Sequence, residues 1–293
     1  MSLLDDYDAL LFDLDGTVYR GEEVIPGADR AVEAAHAAGT KVRFVTNNAS
    51  RGPDEVASHL TRIGVRAVPA EVSTSAQAAA AVLAEKLLPN TTVLVVGSAA
   101  LVHEVEIKGL TATRTHSNEV QAVVQGLSKD TGWRDLAEAC VAIRAGALWV
   151  ACNVDPTLPT ERGPLPGNGS MVTALRTATG SEPVIAGKPA SPLMDEAKRS
   201  ADARNPLVIG DRLDTDIAGA VGAGLDSLLV LSGVSTAQEL LDAPEEMRPT
   251  FVAHDVAAVT EDGIRIEDGR DGADWPSAVR AALARLGLEH EVA

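Results

Sequence analysis

A chain of 293 residues, 45% of them apolar, holds enough for one large domain or two medium ones, and an aromatic content of 3% makes its core one of Ala, Val, Leu and Ile. The formal net charge of −17, from 25 basic and 42 acidic residues, repels nucleic acid and anionic membranes over long range and argues against both as partners. It also opposes an anionic substrate, so a phosphate-binding pocket in this chain needs local positive charge from a metal ion or one or two cationic side chains.

Strands and helices alternate along the chain. Residues 8–13 read as a strand, 27–38 as a helix closed by Gly39, 41–45 as a strand, and 53–63 as a helix with Pro53 in its first turn. An Ala-rich helix at 75–88 is halted by Pro89. A second series follows, with strand 92–96, a helix from about 98, strand 120–125, helix 133–145 and strand 147–151. A polar loop at 152–169 holds four prolines and three glycines. After it come helix 170–179, strand 183–186, helix 191–201, strand 206–210, helix 215–223 and strand 226–230. Residues 251–262 read as a short strand and turn, and an acidic, Gly-rich stretch at 263–273 precedes a helix at 275–286. Alternating βα units imply parallel sheets with helices on both faces, and such sheets carry function in the loops at their carboxyl ends.

The strand ending at Phe12 runs into Asp13-Leu14-Asp15-Gly16-Thr17. Residues i and i+2 of a strand share a face, so Asp13 and Asp15 present two carboxylates side by side while Leu14 turns into packing. Two adjacent carboxylates repel unless a proton or cation intervenes, which makes the pair a metal site or a nucleophile beside a general acid/base. Three further strand ends carry polar groups. Thr46-Asn47-Asn48 can hydrogen-bond phosphate oxygens or simply cap a turn. Gly187-Lys188-Pro189 lacks the spacing and hydroxyl of a P-loop, which leaves Lys188 as a neutralising charge or a solvated surface lysine. Gly210-Asp211-Arg212-Leu213-Asp214-Thr215-Asp216 offers Asp211 and Asp216 as a metal pair, with Asp214 reading as a cap or a solvated charge.

In this order the four segments resemble the four motifs of the haloacid dehalogenase superfamily of phosphohydrolases, over residues 8 to about 260. The resemblance implies an α/β fold, a doubly wound parallel-sheet core with an inserted smaller α/β cap, Mg²⁺, and an aspartyl-phosphate intermediate. Carried onto this sequence, it makes Asp13 the nucleophile, Asp15 the general acid/base, and Thr46 and Lys188 the groups that stabilise phosphate. Gly16, Asn47 and Asn48 join the phosphate-binding set, and Asp13, Asp15, Asp211 and Asp216 form the metal set.

About 30 residues separate Asp13 from Thr46, enough for a loop, a helix and a strand, whereas about 140 lie between Asn48 and Lys188. The expected organisation is a discontinuous core at 1–75 and 183–262, a cap at 76–182, and a tail at 263–293. A large α/β cap in this place resembles the subfamily of nucleotide, 4-nitrophenyl phosphate, pyridoxal phosphate, phosphoglycolate and glycerol phosphate phosphatases, in which cap-to-cap homodimers occur. The loop from Cys152 to Gly163, continuing to Met171, resembles the cap's specificity loop, with Asn153, Asp155, Glu161 and Arg162 as candidates for reading the leaving group. The wording from Thr131 through this loop is similar to glycerol 3-phosphate phosphatases of actinobacteria, so a small phosphorylated metabolite, glycerol 3-phosphate first, is the expected substrate. A dehalogenase would not need Asp15, a phosphomutase would place its cap between the first two motifs, and a non-catalytic phospho-ligand binding protein predicts a defect in one motif. None of these patterns is visible.

The remaining polar and aromatic residues read as structural. Gly167-Asn168-Gly169 follows a loop and lacks the third glycine of a dinucleotide fingerprint. The six histidines show no metal-pair spacing, and Trp133 and Trp149 read as core packing of a cap helix and strand. Cys140 and Cys152, in neither metal-ligand nor CxxC spacing, read as buried reduced thiols. The first six residues lack the basic and apolar regions of a signal peptide, and no window nears the ~18 apolar residues of a membrane span. A cytoplasmic location is the expectation.

Overall fold

The computed structural model describes residues 2–158, 160, 162–267 and 274–292. They form two compact units, Met1–Val45 with Val56–Val72 and Met194–Ala293, and Thr46–Glu55 with Ser73–Leu193.

Among the described residues, the first unit is organised on a seven-stranded sheet ordered Ile264–Arg265, Phe251–Ala253, Asp226–Val230, Pro206–Gly210, Ala9–Phe12, Lys41–Thr46 and Val72–Thr74. Omitting the edge strand Ile264–Arg265, which runs antiparallel to its neighbour, the order in chain terms is 3-2-1-4-5-6, the doubly wound arrangement. The central runs Ala-Leu-Leu-Phe and Pro-Leu-Val-Ile-Gly are buried along their whole length, as strands covered on both faces must be. Phe12 stands opposite Ile209 on one side and Phe44 on the other. That parallel register brings the strand ends before Asp13 and before Asp211 to the same edge, and the chain order reverses between those two strands. A doubly wound sheet opens its ligand crevice at such a switch point.

One face of this sheet packs Leu10, Phe12, Phe44, Leu207, Ile209 and Leu228 against the helices Ala28–Ala38 and Pro53–Arg62. The other packs Leu229 and Val252 with Ile217, Leu240 and the C-terminal helix Trp275–Arg285. Trp275 is 4% exposed, donates its indole N–H to the Leu240 carbonyl at 3.0 Å, and lies under the Arg248 guanidinium. The chain after 274 is thus part of the core's second face.

The second unit carries a parallel five-stranded sheet ordered Val184–Ile185, Leu148–Ala151, Val120–Gln125, Thr92–Val96 and Thr111–Thr113. Val123 and Trp149 on the sheet pack with Ala142 and Ile143 of the helix Trp133–Arg144 and Val172 of the helix Asn168–Thr179. The helix Ser75–Lys86 starts with a reciprocal cap: Thr74 Oγ1 accepts from the Gln77 N–H at 3.2 Å and Gln77 Oε1 accepts from the Thr74 N–H at 2.9 Å.

Several expectations are corrected. Trp149 is buried, but Trp133 is 81% exposed because it begins its helix, beyond the face that Ala139, Ala142 and Ile143 press onto the sheet. Cys152 is buried, and burial pushes its thiol pKa up, whereas Cys140 is only half-buried. The helix expected from 170 starts at Asn168, and the polar loop before it holds a small hairpin, Thr157–Leu158 with Leu165–Pro166. The helix expected at 215–223 is a π-helical turn, Leu213–Ile217, running into Ala218–Gly222. Single-turn π segments are frequent at functional sites, and this one carries Asp216.

Candidate active site

The first unit gathers an acidic cluster at its switch point. Asp13, Asp211 and Asp216 each present a carboxylate oxygen, and the three atoms lie within 4.8 Å of one another. Asp13 follows the strand directly, its N–H continuing the ladder to the Ile209 carbonyl at 2.8 Å. Asp211 is fully buried and Asp216 is 1% exposed. The Val234 N–H donates to Asp211 Oδ2 at 2.7 Å, and the Ser235 N–H holds the Asp211 carbonyl at 3.0 Å. The π turn doubles back so that the Arg212 N–H reaches Asp216 Oδ2 at 3.2 Å. Asp214 is exposed, and the Arg212 guanidinium clasps its carboxylate at 2.7 and 2.9 Å, so it is a solvated charge and not a cap. Asp15 is exposed and its carboxylate is not among the three.

Gly16 makes this arrangement sterically possible. Its φ of +94° belongs to the left-handed region, and a Cβ built on it would lie 2.4 Å from Asp211 Oδ2. Its N–H bonds the Tyr19 carbonyl at 2.8 Å and its carbonyl accepts from Ser232 Oγ at 2.8 Å, which fixes the turn after Asp15. Three buried or half-buried carboxylates this close need a proton or a cation between them, and an all-oxygen anionic donor set suits a hard divalent ion such as Mg²⁺. The residues present therefore fit the metal that the sequence implies.

The second unit gathers the uncharged and cationic groups. Thr46 is 5% exposed and Lys188 is 3% exposed, which rules out a solvated surface lysine. Thr46 Oγ1 accepts from the Asn48 N–H at 3.1 Å, which leaves its hydroxyl hydrogen to be donated elsewhere. Asn48 Oδ1 accepts from the Ser50 N–H at 2.8 Å and from Ser50 Oγ at 2.7 Å, closing a side-chain turn. The Asn47 carbonyl accepts from Ser75 Oγ at 2.6 Å and from Asn153 Nδ2 at 2.7 Å. Asp155 is held nearby, its N–H on Asn153 Oδ1 at 3.2 Å and its carboxylate accepting from Asn47 Nδ2 at 3.2 Å.

Of the four loop residues proposed to read a leaving group, the structure thus brings Asn153 and Asp155 to the Asn47 turn. Arg162 is exposed, its N–H bonded to Thr160 Oγ1, and Glu161 lies outside the described residues. Asn168, dismissed with the false fingerprint, is 1% exposed and braces the loop by donating to the Asn153 carbonyl at 2.7 Å. The donors to Asp211 from Val234 and Ser235 are backbone groups, which no residue type advertises.

Comparison with known proteins shows the family. Residues 10–111 match a family described as haloacid dehalogenase-like hydrolase, and residues 185–259 match a second family model of the same hydrolase type. The D-glycerol 3-phosphate phosphatase of Mycobacterium tuberculosis is 55% identical over 261 residues, 89% of this chain and 73% of that protein. The 5'-nucleotidase YutF of Bacillus subtilis is 37% identical over 257 residues, 87% of this chain and 97% of that protein. A crystal structure of the glycerol phosphate phosphatase from Mycobacterium tuberculosis in complex with magnesium matches with a TM-score of 0.88 at 47% identity, covering 98% of this chain and 99% of the other.

Proposed function

The chain belongs to the haloacid dehalogenase-like hydrolases as one of their phosphatases, and on that premise we propose that it is a Mg²⁺-dependent phosphomonoesterase whose substrate is glycerol 3-phosphate. The observation that carries the reading is the carboxylate trio Asp13, Asp211 and Asp216, which gathers anionic oxygen where a doubly wound sheet binds its ligand. The glycerol 3-phosphate assignment rests on the similarity to the mycobacterial phosphatase.

In the proposed reaction an oxygen of Asp13 attacks phosphorus in line, and the bond from phosphorus to the leaving oxygen breaks. Asp15, exposed and so able to exchange protons with solvent, gives its proton to the departing alkoxide. Asp15 then takes a proton from water as the water oxygen attacks the acyl phosphate. The phosphorus–Asp13 bond breaks, and inorganic phosphate leaves a regenerated carboxylate. Thr46 and Lys188 hold the phosphoryl oxygens by a hydroxyl hydrogen and a fixed positive charge. Asp13, Asp211 and Asp216 would hold Mg²⁺, which when bound neutralises charge at the phosphoryl group.

The proposal assigns the chemistry to a core at 1–75 and 183–262 and the reading of the leaving group to a cap at 76–182, through Asn153, Asp155 and Arg162. It places the enzyme in the cytoplasm, with a small phosphorylated metabolite as its partner and neither nucleic acid nor membrane. Among the described residues, no helix is long and apolar enough to cross a membrane.

A phosphate-release screen with Mg²⁺ over glycerol 3-phosphate, phosphoglycolate, pyridoxal phosphate, nucleoside monophosphates and sugar phosphates tests the reading. Glycerol 3-phosphate should give the highest kcat/KM. A better substrate elsewhere in the panel overturns the substrate, and no release from any of them overturns the activity. A homodimer through the cap completes the proposal, with the exposed Trp133 as its marker and a second copy of this chain as its cover. Light scattering should give twice the chain mass for the wild type and less for Trp133→Lys; a monomeric wild type removes the dimer.

A further inference from the structure

Asn47 follows Thr46, and its place beside a phosphate-binding hydroxyl marks it as another phosphate ligand. Its side-chain amide is committed otherwise. Oδ1 accepts from the Lys188 N–H at 2.8 Å, while Nδ2 donates to the Lys188 carbonyl at 3.1 Å and to the Asp155 carboxylate at 3.2 and 3.4 Å. A primary amide has two donor hydrogens. One goes to the Lys188 carbonyl and the other to Asp155, so none remains for a phosphate oxygen. The orientation of the amide is fixed by chemistry, because the Lys188 N–H can only face an acceptor.

The pairing with Lys188 engages both the N–H and the carbonyl of a single residue, as a neighbouring strand would. At Lys188, just after Val184–Ile185, the Asn47 amide pairs in this way with the backbone. Gly187 makes the approach possible: a Cβ there would stand 2.5 Å from Asn47 Oδ1 and 2.4 Å from the Cys152 carbonyl. Asn47 is itself held at its carbonyl by Ser75 and Asn153. One side chain thus joins the Thr46 turn, the Lys188 backbone and the loop bearing Asn153 and Asp155.

We propose that Asn47 is a positioning residue that acts through Lys188, holding the lysine's backbone and Asp155 in one arrangement, and that its side-chain amide is not a phosphate ligand. The role rests on the phosphatase reading, which supplies the reaction that Lys188 serves. A lysine whose backbone is loosened loses the placement that makes its charge effective at the phosphoryl group, since about 1 Å of misplacement costs on the order of 100-fold in rate.

A double-mutant cycle with Asn47→Ala and Lys188→Ala tests this. Asn47→Ala should lower kcat/KM by about 10- to 100-fold, the usual cost of losing a group that orients a ligand. The double variant should fall no more than about 2- to 3-fold below Lys188→Ala alone, because groups acting as a unit are not additive. Where turnover is too slow to read, binding of inorganic phosphate in the presence of Mg²⁺ replaces kcat/KM and should follow the same pattern. A merely structural role would scale the active fraction equally in both backgrounds, and a phosphate-ligand role would lower affinity in both; either multiplicative result overturns the proposal. If Asn47→Ala folds poorly, Asn47→Gln, which keeps the amide and shifts it by one methylene, takes its place in the cycle. A Lys188→Ala enzyme as active as wild type overturns this role together with the catalytic reading beneath it, whereas a multiplicative cycle in an active enzyme overturns this role alone.

Discussion

Asp13→Asn is expected to reduce phosphate release by at least about 10³-fold while the thermal midpoint stays within a few degrees of wild type. An amide oxygen is a far weaker nucleophile than a carboxylate, and loss of a covalent nucleophile is among the costliest single changes an enzyme suffers. The fold has little reason to respond. The Asp13 backbone N–H that extends the central ladder to Ile209 is retained, and Asn has nearly the shape of Asp. One fewer charge among three carboxylates within 4.8 Å of each other also relieves repulsion in the metal-free protein. Phosphate release measured beside a thermal melt separates the two effects. Retention of more than about a tenth of wild-type turnover would remove Asp13 from the covalent step.

The same few residues show what a sequence discloses and what it hides. The central strands were legible because a strand covered on both faces is a continuous apolar run, and Ala9–Phe12 and Pro206–Gly210 are such runs. Asp13, Thr46 and Asp211 were legible because parallel strands place function at their carboxyl ends, so three polar clusters after three apolar runs point to one edge of the seven-stranded sheet, and Lys188 likewise follows a strand end, Val184–Ile185 of the five-stranded sheet. The strand Val72–Thr74 and the hairpin Tyr19–Arg20 with Glu23–Val24 were not, since two or three residues carry no periodicity. Trp133 misled because residue type gives a propensity for burial, whereas its place at a helix start decides exposure. Asn47 was visible as a polar residue beside a phosphate motif, but its bonds to Lys188 and Asp155 join positions more than a hundred residues apart. Such a pairing is a property of the fold and has no local signal.

Removal of divalent metal is expected to abolish turnover, with EDTA stopping phosphate release and excess Mg²⁺ restoring it. Two of the three carboxylates are buried to 1% exposure or less, where like charges are poorly screened and a hard cation is the natural counterweight. The same argument gives a readout that does not depend on turnover. A ligand that binds only the folded chain stabilises it by about 2.7 kcal/mol at a hundred times its Kd, so Mg²⁺ should raise the thermal midpoint by several degrees. Asp211→Asn should remove most of that rise. Its amide oxygen can still accept from the Val234 N–H that now holds Asp211 Oδ2 at 2.7 Å, so the loop after residue 230 keeps its anchor while the site loses a charge. If Mg²⁺ raises the midpoint of Asp211→Asn as much as that of wild type, the metal binds elsewhere. If EDTA leaves turnover intact, the carboxylate trio is a structural cluster and the phosphatase reading loses the observation that carries it.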